Sequence, residues 1–165
     1  MMTPTAVLNY LVSRKRVLDL YVQEEKEDTR YGFRLGELRF LLRPQVKVEA
    51  IKTVPVCSMP NTPPWFAGMI NLRGNLLPVF DIKQLLDMTS PETSKWIIVF
   101  GQDDRATGIY ADTLPSGVNI DRPADTAPQL HEFLQDCVEN TLMQGEHMWV
   151  EVAFEKMFEG LRARF

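Results

Sequence analysis

The chain has 165 residues, of which 45% are hydrophobic and 24% charged, with a formal net charge of −4. This is the make-up of a soluble globular protein, long enough for one domain or two small barrels packed closely together. It argues against nucleic acid as the main partner, since phosphate recognition needs clustered Lys and Arg.

Thr3-Pro4 is a good helix start, because Thr can cap free amides and Pro suits the first helical position. From there to about Glu27 the chain has no Gly or Pro, and Leu8, Leu11, Val12, Lys15, Leu18 and Val22 fall close to one helical face. Arg14, Lys15 and Arg16 interrupt the stripe, and the acidic run Glu24–Asp28 ends it. The expectation is a helical N-terminal extension over 1–30, packed on its own domain or docking on a partner.

From Tyr31 the period changes to two: Tyr31, Phe33 and Leu35 form one strand, Gly36-Glu37 a turn, and Leu38–Leu42 the return strand. Val46, Val48 and Ala50 alternate with Lys47 and Glu49, as in a half-buried strand. Val54–Pro64 carries four prolines and reads as an extended loop. Next come two apolar runs, Trp65–Leu72 and Leu76–Ile82, either side of Gly74-Asn75. Gly-Asn is a two-residue hairpin loop, so the spacing predicts a tight hairpin with Arg73 at its tip. Pro78 lacks an amide hydrogen and calls for a sheet edge or an outward-facing position.

Lys83–Met88 reads as a short helical turn and Thr89–Ser94 as a polar break. Trp96–Phe100 is a buried strand, Gly101–Asp104 a turn, and Ala106–Ala111 and Val118–Ile120 are further strands. Arg122–Pro128 is predicted to be loop and Phe133–Met143 strand. After a turn at Gln144–Glu146, Met148, Val150 and Val152 alternate on a last strand. Phe154, Met157, Phe158 and Leu161 have the spacing of a C-terminal helix over 153–165, with Gly160 weakening its last turn. Many short strands with helices only at the two ends predict a mainly β protein of small antiparallel barrels.

Catalytic chemistry finds no foothold. His131 and His147 lie in polar surroundings near predicted turns, outside any metal-binding pattern, and Asp103-Asp104 lacks the further carboxylates of a calcium loop. No P-loop and no G-x-S-x-G elbow occurs. Cys57 and Cys137 have no metal spacing and are expected to be two buried thiols in a reduced compartment. The expectation is no enzyme activity, no metal and no cofactor. No apolar run reaches the roughly 20 residues of a membrane span, and no signal peptide is visible, so the expected location is cytoplasmic.

Read on residues alone, the hairpin could be ordinary, with Arg73 there for solubility. The ordered set Gly68, Asn71-Leu72-Arg73-Gly74, Pro78 and Asp81, however, resembles the signature of CheW-like coupling domains, the adaptors of bacterial chemosensory arrays. Glu49 stands where that family tends to place a glutamate in a V-x-E-I strand, Pro63, Trp65 and Gly68 are similar to its T-P-x-x-x-x-G run, and Trp96–Phe100 with Gly108–Asp112 resembles its I-V-V…G-L-x-V-D segment. The resemblance covers about Tyr31 to Glu155 and loosens over Val118–Val150. It implies two packed five-stranded SH3-like β-barrels, about 31–90 and 91–152, with a groove between them. It also implies a non-enzymatic adaptor joining a chemoreceptor's cytoplasmic tip to the regulatory domain of a CheA-type histidine kinase. The helical extension and the wording of the N-T-P-P-W to P-V-F-D stretch are closest to PilI-type adaptors of twitching motility, which use type IV pili. Under this resemblance the partner-binding residues are Arg73, Glu49, Asn71, Gly74, Trp65 and Gly68, with Glu49 paired either to a partner or to Arg73 itself. The competing reading is a small β-barrel nucleic-acid-binding protein, which would need aromatics interleaved with Lys and Arg on exposed strands. Here Trp96, Phe100 and Tyr110 have acidic or apolar neighbours.

Overall fold

The computed structural model describes residues 29–165, so the helix expected over 1–30 lies outside the described residues except for Thr29 and Arg30, which are strand and open β1. The strands are β1 (Thr29–Leu35), β2 (Leu38–Leu41), β3 (Val48–Lys52), β4 (Phe66–Leu72), β5 (Asn75–Phe80), β6 (Trp96–Phe100), β7 (Thr107–Ala111), β8 (Ser116–Asn119), β9 (Arg122–Pro123), β10 (Val138–Gln144) and β11 (His147–Val152). Three short helices, α1 (Ile82–Leu85), α2 (Glu132–Gln135) and α3 (Phe154–Arg162), and a 3₁₀ turn at Asp103–Arg105 complete the described elements.

Sheet membership follows a nested order. β1 and β2 join the late strands in a six-stranded sheet, β8-β1-β2-β11-β10-β9, while β3 to β7 form a five-stranded sheet, β3-β6-β7-β5-β4. Neighbouring strands run antiparallel except β2 with β11 and β5 with β7. The six-stranded sheet has its two edge strands, β8 and β9, joined by only Ile120 and Asp121. So short a link forces the sheet to curl until its edges approach, and the Asp121 amide then donates to the Met143 carbonyl at 2.8 Å. Leu41, Val118 and Trp149 fill the inside of that curl.

The other sheet curls around Ile70, Leu77, Val79, Ile97, Val99 and Ala106. A third and larger core lies between the two sheets and takes in Phe33, Phe40, Ile98, Phe100, Ile109 and the apolar face of α3. β6 therefore has apolar neighbours on both faces, with Ile97 and Val99 on one and Ile98 and Phe100 on the other. This is why its sequence is a continuous apolar run rather than an alternation. α3 buries Phe154, Met157, Phe158 and Leu161, and at roughly 1.5–3 kcal/mol per fully buried side chain this stripe is a principal fastener between the sheets.

Several expectations need correction. The predicted strand Phe133–Met143 is two elements, α2 and then β10. Phe133, Leu134 and Cys137 are all buried, a helical i, i+1, i+4 spacing that period-two reading cannot produce. His131 Nδ1 caps α2 by accepting from the Phe133 amide at 3.2 Å. The expected loop Arg122–Pro128 contains β9. The helical turn set at Lys83–Met88 is helical over Ile82–Leu85, capped by Asp81, whose Oδ1 accepts from the Gln84 amide at 3.2 Å. Gly160 does not end α3, since its missing Cβ leaves space for the Phe133 ring.

Pro78 is not on an edge strand, because β5 lies between β7 and β4. It takes the outward-facing alternative, between the inward Leu77 and Val79. Its partner Met69 uses both its backbone amide and its carbonyl on Cys57, each at 2.9 Å. The Met69–Pro78 pair is therefore a non-hydrogen-bonded one, and the missing amide removes no bond between β4 and β5. Of the two thiols expected to be buried, only Cys137 is; Cys57 is exposed.

Candidate partner-docking site

The β4–β5 hairpin closes one residue earlier than its Gly-Asn pair suggests. Leu72 faces Asn75, so the loop is Arg73-Gly74, with φ of 50° and 86°. Two consecutive positive φ values are those of a type I′ turn, whose twist matches that of the flanking strands. Gly74 meets the requirement without strain. Arg73 does not, and Asn71 supports it: its Oδ1 accepts from the Gly74 amide at 2.9 Å across the turn.

Arg73 extends its guanidinium onto Glu49 of β3 in a two-pronged contact, Nη1 to Oε1 at 2.7 Å and Nη2 to Oε2 at 2.5 Å. β3 and β4 are the opposite edges of their sheet. The pair thus spans the opening left where the curled sheet fails to pair its own edges. Glu49's hydrogen bond, with the charges of Glu49 and Asp103, holds the guanidinium further above its ordinary value against the opposing effect of burial, so the cation is permanent. Arg73 nevertheless keeps 64% of its side-chain surface, against 17% for Glu49. The carboxylate is used internally, and the cation faces outward, oriented.

Beneath the pair is an open cavity of about 560 Å³ lined by Val48, Leu72, Leu77, Val99, Gln102 and Ala106 among others. Leu76, directly across the hairpin from Asn71, is 64% exposed. Arg73, Asn71, Gly74 and Leu76 thus share one hairpin tip tied to Glu49: a fixed cation over the cavity and a bare leucine on the hairpin's outward face. Leu76 was not among the expected site residues. Leu77 and Val79 are the inward residues of β5, so alternation sends Leu76 outward, and that signal was legible.

The structure does not bring Trp65 and Gly68 to this surface. Trp65 is at the far end of β4, its ring 6.0 Å from that of Phe80 and 5.3 Å from that of Phe165. Gly68 has φ of 139°, and a Cβ there would come within 2.2 Å of the Cys57 carbonyl oxygen. It sits at a register shift in β4 and lets the proline-rich segment cross close over the strand. These are packing positions.

A second ion pair, which unlike Arg73–Glu49 was not anticipated, lies where the two sheets meet. Lys83 of α1 donates to Asp112 Oδ1 at 2.8 Å, Ser94 Oγ donates to the same oxygen at 2.8 Å, and the Gly36 amide donates to Oδ2 at 2.6 Å. Burial pushes the Asp112 carboxyl up, but the hydrogen bonds from Lys83, Gly36 and Ser94, with the Lys83 charge, outweigh it and hold the group below its ordinary value. Among the described residues no group of three or more His, Cys, Asp or Glu side chains could hold a metal ion. Nor is any helix there long and apolar enough to cross a membrane.

The chain is similar to known proteins over most of the described fold. Residues 31–161 match the CheW-like domain. A chemotaxis protein CheW of Rhizobium meliloti (strain 1021) is 30% identical over 102 residues, which are 60% of this chain and 66% of that protein. Protein FrzA of Myxococcus xanthus is 28% identical over 99 residues, 58% of this chain and 61% of its own length. The chain therefore spans just under two thirds of these two relatives. The crystal structure of the scaffolding protein TtCheW from Thermoanaerobacter tengcongensis superposes with a TM-score of 0.64 at 25% identity, over 80% of this chain and 92% of that one. With the match running from β1 to the end of α3 and a solved relative of the same architecture, this chain belongs to the CheW-like domain family.

Proposed function

We propose that this chain is a non-enzymatic adaptor of a chemosensory pathway, coupling the cytoplasmic tip of a chemoreceptor to the regulatory domain of a CheA-type histidine kinase. The observation that carries the reading is the hairpin tip: a guanidinium fixed by Glu49 and by a type I′ turn, yet 64% exposed, on the same hairpin as the bare Leu76. A side chain already held in one geometry loses little entropy on docking, and arginine beside an apolar anchor is a favoured interface composition. Asn71 and Gly74 shape this surface. Trp65 and Gly68 act on it indirectly, by fixing the hairpin to the core. The two curled sheets are read as SH3-like barrels with a groove between them, and the output as type IV pilus motility of the PilI type, exercised at receptor arrays.

The test is Arg73→Glu. Its own fold should lose only about 0.5–1 kcal/mol, because the native guanidinium is largely in solvent. Binding to the kinase regulatory domain, followed by calorimetry, should weaken about a hundredfold or more as attraction across the interface becomes repulsion. Parent-like affinity for both kinase and receptor would remove the hairpin tip from the coupling surface.

A further inference from the structure

We propose that the groove between the Gln45–Lys47 segment, the end of β6 and α3 is the seat of this chain's own N-terminal segment, residues 5–28. The inference goes beyond the adaptor reading and does not depend on it. The groove encloses about 470 Å³, with Val46, Phe100, Phe154 and Phe158 as its apolar floor. Lys47, Arg105 and Arg162 stand exposed on its rim, and among the described residues none of the three has an ion-pair partner. Of the two rim acids, Glu155 is already taken by Arg43 at 2.5 Å, leaving Glu159.

Two independent features point to the N-terminal segment. One is where the chain enters. The Leu42 amide donates to the Tyr31 carbonyl at 2.8 Å and Arg30 reaches the Leu42 carbonyl at 3.2 Å. Continuing that antiparallel register sets Thr29 beside Pro44, next to Gln45 at the groove's mouth. The other is charge. The residues just before Thr29 are Glu24, Glu25, Lys26, Glu27 and Asp28, four acids and one base, opposite a rim with three uncommitted cations. Upstream of them, Leu8, Leu11, Val12 and Leu18 need an apolar cover, and the floor of the groove supplies one within reach of the chain.

Hydrogen–deuterium exchange on the full chain at low salt tests this. Amides of residues 7–22 should exchange about tenfold or more slowly than free-peptide rates if the segment is seated. Replacing Lys47, Arg105 and Arg162 together by Glu should restore fast exchange in 7–22 while β6 amides stay protected. A second variant with Glu24, Glu25, Glu27 and Asp28 replaced by Lys should do the same, and because it lies outside the folded sheets it keeps the test valid if the triple variant misfolds. Combining the two should return the protection. Free-peptide rates in the parent overturn the proposal, as does protection that survives both reversals or that grows with protein concentration, which would mean seating on another copy.

Discussion

Two ion pairs of this protein are built from the same chemistry and placed in opposite surroundings. Arg73–Glu49 lies at a hairpin tip with its cation 64% exposed, and each partner is held mainly by the other. Lys83–Asp112 lies where the two sheets meet, with exposures of 12% and 1%, and Asp112 also accepts from Ser94 and the Gly36 amide. A desolvated carboxylate is tolerable only with such saturation, and removing a partner then leaves an uncompensated charge. An exposed pair contributes little to folding and can be changed cheaply. The first is therefore free to serve recognition, whereas the second is committed to holding the β1–β2 turn, α1 and the start of β6 in register.

The contrast can be broken most directly at the buried pair. Asp112→Ala should cost about 3–5 kcal/mol, since Lys83 is left without its anion and the Gly36 amide without its acceptor. In thermal melts that is a loss on the order of 10 °C for a chain of this size. A loss no greater than that of an exposed-charge substitution would mean that Lys83 swings out to water and that the pair is no latch.

Acid sharpens the difference. The Asp112 carboxyl is held below its ordinary value of 3.8 in the folded protein. Its contribution is therefore complete above that value and is lost as pH falls through the lower, folded-state value. Denaturant midpoints of the parent should drop across this acid range, and the part of the drop due to this group should be missing in Asp112→Ala. Equal acid sensitivity of the two proteins would assign the effect to other carboxylates.

The smallest expected effect on folding comes from exchanging the exposed pair. Glu49→Arg combined with Arg73→Glu keeps the attraction and should melt within about 0.5 kcal/mol of the parent. It turns the outward charge from positive to negative, so binding to the kinase regulatory domain should remain lost. Recovered binding would show that the pair orients the hairpin and that the guanidinium itself makes no contact.

Strands such as Tyr31–Leu35 were legible in advance because alternation survives wherever one face is buried and the other is not. Trp96–Phe100 was legible for the opposite reason, its length and continuity. α2 was not, because a four-residue helix offers one turn of pattern, and Phe133-Leu134 reads equally well as strand. The site was half legible. Arg73 and its neighbours stood out as an ordered set, whereas Leu76 was absorbed into an apolar run and Lys83–Asp112 joins residues 29 apart in sequence.

What the sequence determined by itself is local: turns where Gly or Asn admits positive φ, the period of each strand, the apolar stripe of α3, and the family signature around Arg73. What only the tertiary structure decided is which edges meet. Pairing of β1 and β2 with the late strands, closure of β8 toward β9, and the reach of Arg73 across to the opposite edge of its own sheet all depend on contacts between residues distant along the chain. Such contacts are selected by the total area buried when both sheets curl and pack on α3, and no window of neighbouring residues carries that sum.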